Sequence, residues 1–245
     1  MGVETSGCGF LADRRPKLLF ERHVFHRLTA GRFADVAPDL SNPSPGGYQA
    51  SLGGVEQYAR LVRAVRLERN AALASCSWGL PQIMGFNAVA AGFHDAHDMA
   101  QAFASSEDAQ LHALVVFLQH RALVAPLTKG DWLTFALRYN GPAQAARGSS
   151  GSYAERLARW HARFQAGPLP DLDIRACQLA LAFRGLLAVS EVDGVLGPLT
   201  SRALAAFQGD AGMPVTGLAD DRSLQALWSA VGWAAGAAND LPRAR

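Results

Sequence analysis

The chain has 245 residues, 49% of them hydrophobic, and a formal net charge of +2. That length allows one large domain or two modest ones with a sizeable core, while so small a charge gives no argument for a nucleic-acid partner. Cys8, Cys76 and Cys177 are widely spaced and form no CxxC pair, which argues against a disulfide framework and fits a reducing compartment at synthesis.

The start, Met1-Gly2-Val3-Glu4-Thr5, lacks the basic and apolar regions of a signal peptide, and no apolar run is long enough to span a membrane. The first fifty residues are turn-rich, and Asn42-Pro43-Ser44-Pro45-Gly46-Gly47 excludes helix interior. A helical pattern covers Val55 to Ala74, with Val55, Tyr58, Ala59, Val62, Val65 and Ala72 largely on one face. Residues 75 to 87 then form an apolar connection containing Trp78, Leu80, Ile83, Met84 and Phe86, with Gln82 its one amide. A connection this apolar must pack, and a packed loop with a single amide suits a sugar better than a charged ligand. Gly79 and Gly85 are expected to allow a sharp turn or a close approach of backbone.

Asn87 to Phe103 reads as one or two short helices. Ser105 and Asp108 read as the cap of a mostly buried helix through Leu111, Leu114, Val115, Leu118 and Ala122. Thr128 with Asp131 opens another helix, which stops at Asn140-Gly141-Pro142. Gly148 to Ser152 reads as a loop and Tyr153 to Phe164 as the last helix of this half. Gly167-Pro168-Leu169-Pro170-Asp171 is the linker candidate. Three helices follow, over Ile174–Leu187, Leu199–Gln208 and Ser223–Trp228, with turns at Asp193-Gly194 and Thr216-Gly217. Strands are expected only within residues 80 to 90 or 30 to 50, so the fold class is mainly α.

Glycosidic cleavage needs a proton donor to the leaving oxygen, and a carboxyl in apolar surroundings can hold such a proton. Glu4 lies in Glu4-Thr5-Ser6-Gly7 and Glu21 in Leu19-Phe20-Glu21-Arg22-His23. Against these roles stand a terminal residue without function for Glu4 and a salt bridge to Arg22 or Arg27 for Glu21. His23, His26, His94 and His97 match no zinc spacing, so no metal and no cofactor is expected. Cys8 and Cys76 read as small buried hydrophobes rather than nucleophiles. Tyr139 and Asn140 present polar groups at a helix end, where a cleft could use them.

Several long segments recur in a known order. Gly7-Cys8-Gly9-Phe10-Leu11, Arg15 to Phe25, Gln57 to Leu61, Ser77 to Asn87 and Tyr139-Asn140-Gly141-Pro142 closely resemble the N-acetylmuramidase domain of phage and prophage endolysins, over about residues 2 to 166. More distantly the blocks resemble goose-type lysozymes and lytic transglycosylases. The resemblance implies a lysozyme-like α domain with a small β element. It makes Glu4 the general acid, places Gln82, Tyr139 and Asn140 along the glycan cleft, and includes Glu21 in a Phe-Glu-Arg-His block without a defined step. Asp193-Gly194-x-x-Gly197-Pro198-x-Thr200, Ala203-Leu204-x-x-Phe207-Gln208 and Gly212-x-Pro214-Val215-Thr216-Gly217 resemble the three-helix peptidoglycan-binding module, with Phe207 a core residue.

The expectation is an N-acetylmuramidase domain over 1–167, a peptidoglycan-binding domain over 172–230 and a tail over 231–245. The enzyme would cleave the β-1,4 bond between N-acetylmuramic acid and N-acetylglucosamine, with a lytic transglycosylase as the alternative. In relatives a long helix precedes the acid; with only Met1 to Val3 before Glu4, either the true start lies upstream or this form lacks that helix, in which case Glu4 would fray and be solvated. A wall-binding protein without catalysis is the rival reading. The expected partners are glycan strands, with no nucleic acid, no stable membrane insertion and a monomeric state. Synthesis in the cytoplasm without a signal peptide and action at the wall complete the picture.

Overall fold

The computed structural model describes residues 2–5, 7–48, 54–141 and 151–233. Contacts divide the chain into two compact units, 1–11 with 15–161 and 12–14 with 162–245. Pro142, most of the Gly148–Ser152 loop and the 234–245 part of the tail lie outside the described residues. Among those described, no helix is long and apolar enough to cross a membrane.

The first unit is mainly helical around one small sheet. It begins with α1 (Gly2–Thr5), β1 (Leu18–Phe20), α2 (Arg22–Leu28), α3 (Val55–Leu67) and α4 (Arg69–Ala74). The hairpin β2 (Cys76–Trp78) and β3 (Ile83–Met84) follows, then two 3-10 turns, α5 (Ala96–Ser105), α6 (Glu107–His120), α7 (Val124–Thr128), α8 (Trp132–Asn140) and α9 (Tyr153–Ala166). The sheet order is β1-β2-β3, all antiparallel, with Leu18 opposite Trp78 and Trp78 opposite Ile83. Leu18, Phe20, Trp78 and Ile83 join Phe25, Met99, Phe103 and Phe117 in one core.

The structure corrects several sequence expectations. Strands occur at 18–20 and 76–78, and none of the described residues of 30–50 is a strand. The helix expected over 55–74 is two helices, broken at Glu68, whose backbone is extended and whose carboxylate accepts from the Ala71 N–H. The buried face of α3 is Gln57, Arg60, Leu61 and Ala64, while Val55 and Val62 are exposed. Two polar residues face inward because β1 needs partners. The Phe20 N–H donates to Gln57 Oε1 (3.2 Å), and Arg60 donates to the Phe20 carbonyl (3.1 Å) and the Asp39 carbonyl (3.0 Å). A buried main-chain group left unpaired would cost more than burying a satisfied amide.

The caps also shift. Ser106, not Ser105, caps α6, whose buried residues are Glu107, Gln110, Ala113 and Phe117. Asp131 alone caps α8. Among its described residues the second unit packs α10 (Leu172–Phe183), α11 (Pro198–Asp210) and α12 (Asp221–Val231) around Leu181, Leu204, Phe207 and Leu227. Phe207 is core, as expected.

This second unit carries an internal repeat built on two buried glutamines. Gln178 Oε1 accepts from the N–H groups of Asp193 and Gly194, and its Nε2 donates to Asp193 Oδ1, the Val195 carbonyl and Thr200 Oγ1. Gln208 repeats the pattern at the next turn: Oε1 accepts from Thr216 and Gly217, and Nε2 donates to Thr216 Oγ1, the Leu218 carbonyl and Ser223 Oγ. Each carboxamide thus fastens the following turn to the start of the next helix.

Candidate functional site

The apolar connection at 75–87 folds as the β2–β3 hairpin and a 3-10 turn. Gly79 turns the chain at φ +65°, where a side chain would also strike Gln110 and Phe103. Gly85 serves instead by close approach, since an added Cβ would overlap the Leu73 carbonyl. Buried Gln110 holds the turn, accepting from the Leu80 N–H at 2.6 Å and donating to the Phe103 carbonyl at 2.8 Å. Trp78, Leu80 and Ile83 are buried, whereas Phe86 is 45% exposed and lies beneath the Arg27 guanidinium.

Gln82 sits in this turn at φ +52°. Its amide is committed to the hairpin: Ser77 Oγ donates to Oε1 (2.8 Å), and Nε2 donates to the carbonyls of Gly79 (2.8 Å) and Lys17 (3.4 Å). The sequence singled out the amide, but not that it would be spent on holding the hairpin turn.

Tyr139 and Asn140 end α8, so the helix terminus delivers both to one place. The Tyr139 hydroxyl donates to the Pro81 carbonyl at 2.7 Å, and its ring stacks on Phe135. That bond joins the Tyr-Asn block to the hairpin turn, as the spacing of the motifs could not reveal. Asn140 remains partly exposed beside it.

Glu4 is helical and partly buried on α1, not frayed. Val3 packs on the core, and Thr5 Oγ1 donates to the Leu80 carbonyl at 3.1 Å. The Tyr153 hydroxyl, 3% exposed at the start of α9, donates to Glu4 Oε1 at 2.5 Å. Burial, then the neighbouring Glu4 carboxylate, raises both the Tyr153 and the Tyr139 hydroxyls well above the ordinary tyrosine range, so both stay protonated donors. Sequence reasoning treated Tyr153 only as the first residue of a helix. Nothing in that pattern separates a core tyrosine from one aimed at a carboxylate.

Glu21 lies at the β1–α2 junction as the residue before α2. The Tyr48 hydroxyl reaches both its carboxylate oxygens, at 2.8 and 2.7 Å, and His23 Nδ1 lies 3.2 Å away. Arg22 is not its partner, donating instead to the carbonyls of Ser44 and Pro45. Among the described residues no hydrogen bond joins Glu21 to Glu4. The structure therefore assembles Glu4, Tyr139, Tyr153 and the Gln82 turn, and gives Glu21 a separate set of contacts.

Cys8, Cys76 and Cys177 are all free and buried. Burial drives the Cys76 thiol far above its ordinary range and pushes Cys177 up to about 12, which leaves both inert as nucleophiles. His94, Asp95 and Asp98 cluster on the surface, where Asp95 is already the cap of α5.

A family model described as N-acetylmuramidase matches residues 1–165, and one described as a putative peptidoglycan binding domain matches residues 170–227. Among solved structures, the crystal structure of a Burkholderia AP3 phage endolysin matches at 38% identity with a TM-score of 0.58, over 67% of this chain and 61% of that one. The chain thus spans about 61% of the length of that endolysin. No curated protein matches.

Proposed function

The chain belongs to the N-acetylmuramidase family, and from that premise we propose that it is an endolysin-like glycoside hydrolase cutting the β-1,4 bond between N-acetylmuramic acid and N-acetylglucosamine. Glu4 is the general acid. The observation that carries this reading is the Tyr153 hydroxyl donating to Glu4 Oε1 at 2.5 Å. With Oε1 so occupied, Oε2 is left to carry the proton delivered to the leaving oxygen. The carboxyl side chain is thereby fixed in one orientation before substrate arrives, and orientation is a large part of what a proton donor needs.

Tyr139, Asn140 and the Gln82 turn form the adjoining cleft wall. Gln82 acts there by fixing the turn through its own amide, with Tyr139 tied to the same turn through Pro81. Glu21 orders its own loop through Tyr48 and has no proton-transfer step in this reading. The C-terminal unit tethers the enzyme to peptidoglycan, consistent with the domain matched over residues 170–227.

The test is release of new reducing ends from purified peptidoglycan by the unchanged chain and by Glu4→Gln. The unchanged chain is expected to release them and Glu4→Gln to lose at least about a hundredfold in rate, the scale of general acid catalysis. Equal release by both would remove Glu4 as the acid. No release by either would favour a wall-binding protein, and anhydro ends in place of reducing ends would identify a transglycosylase.

A further inference from the structure

Glu4 stands one residue before the end of α1, and the side chain of Lys17 reaches that end. Its Nζ donates to the Thr5 carbonyl at 2.9 Å, one residue after Glu4. The Thr5 carbonyl lies at the C-terminal end of α1, where a cation is the favoured partner, and it also accepts from the Cys8 N–H at 3.5 Å.

The backbone of Lys17 is committed to the opposite wall. Its carbonyl accepts from the Gly79 N–H at 2.7 Å and from Gln82 Nε2 at 3.4 Å, while its own N–H donates to the Gly9 carbonyl at 2.8 Å. One residue therefore holds the Glu4 helix with its side chain and the Gln82 turn with its main chain. The second strap between these parts, Thr5 Oγ1 to the Leu80 carbonyl, runs to the same turn. Burial lowers the Lys17 amine from its usual range, opposed by Cys8 and Glu107. Glu107 is itself buried, at the start of α6, and accepts from the Gly9 N–H. The link from the Lys17 amine to Glu4 runs through the Thr5 backbone.

We propose that Lys17 is a positioning residue for Glu4, setting the distance between the acid and the Gln82 wall by pinning the end of α1. This rests on the reading of Glu4 as the general acid. Losing the pin lets α1 shift while leaving the cleft wall in place, so the loss falls on kcat and spares KM. Displacement of a reacting group by about 1 Å costs on the order of a hundredfold in rate.

The experiment compares the full chain with Lys17→Met, Lys17→Arg and Glu4→Gln on soluble glycan strands, with kcat, KM and thermal melting measured for each. The expected result is a fall in kcat of about a hundredfold for Lys17→Met with KM unchanged. Lys17→Arg, which keeps a donor, is expected to recover most of the lost rate. If Lys17→Met melts below the assay temperature, Lys17→Arg carries the test alone, with a kcat within about tenfold of the unchanged chain expected. An unchanged kcat in Lys17→Met beside an inactive Glu4→Gln would overturn the role of Lys17 and leave the acid standing. Equal loss in Lys17→Arg and Lys17→Met, or a loss confined to KM, would also overturn it. An active Glu4→Gln would remove the acid and the positioning role together.

Discussion

At the scale of single residues, buried Tyr153 and partly buried Tyr139 both stay protonated close to Glu4. Tyr153 donates to Glu4 and Tyr139 to the Pro81 carbonyl. Tyr153→Phe keeps the ring and deletes only the donor. A hydrogen bond to a neutral carboxyl is worth about 0.5–1.5 kcal/mol, so kcat is expected to fall about twofold to tenfold, read from initial rates on glycan strands. The same hydroxyls make stability depend on alkaline pH. Folding raises both above the ordinary tyrosine value of about 10. The folded state then keeps protons that the unfolded chain releases, so the contribution is complete below about pH 10 and is lost as pH rises further. Each group adds a slope of about 1.4 kcal/mol per pH unit in that range. Denaturant midpoints are expected to drop above pH 10, and Tyr153→Phe is expected to flatten that drop. A Tyr153→Phe profile parallel to that of the unchanged chain would contradict the assignment.

At the scale of elements, the second unit is organised by two glutamines that the sequence reading passed over. Gln208 makes five hydrogen bonds, two of them from the N–H groups of Thr216 and Gly217. Gln208→Leu fills a similar volume and leaves those N–H groups buried without an acceptor, at about 1–3 kcal/mol each. A loss of about 3 kcal/mol in that unit is expected by urea unfolding, with faster amide exchange at Thr216 and Gly217. Asp193-Gly194 and Thr216-Gly217 were legible as turns, because glycine marks the left-handed backbone, at φ +80° and +68°. The glutamines behind them were not, since a polar residue in a helix reads as surface until its partners are known. The same limit explains α3, where apolar periodicity pointed to Val55 and Val62 while Gln57 and Arg60 took the core face. It also explains β1 and β2, three residues each, too short for an alternating pattern to rise above the apolar runs around them. The candidates Glu4 and Tyr139-Asn140 came from motifs in fixed order, while the contacts of Tyr153 and Lys17 cross 149 and 12 positions of the chain and leave no local pattern.

At the scale of the whole molecule, the proposed pairing of a cutting unit and a binding unit on one chain has a consequence that neither has alone. A tether makes the second encounter with an insoluble polymer intramolecular, so it raises the rate on wall material and adds nothing for a short soluble glycan. The peptidoglycan-binding model matches residues 170–227, within the second unit, whose fold depends on the Gln178 and Gln208 clamps. A double variant, Gln178→Leu with Gln208→Leu, is expected to disorder that unit. Reducing-end release from insoluble peptidoglycan is then expected to fall at least about tenfold, the lower side of what tethering supplies. Release from soluble glycan fragments is expected to stay within about twofold, because the clamps touch neither Glu4 nor its partners. The contrast between the two substrates is the measurement, since equal losses on both would mean that disorder in the second unit reaches the cleft, and equal retention on both would mean that the tether does not limit attack on the wall.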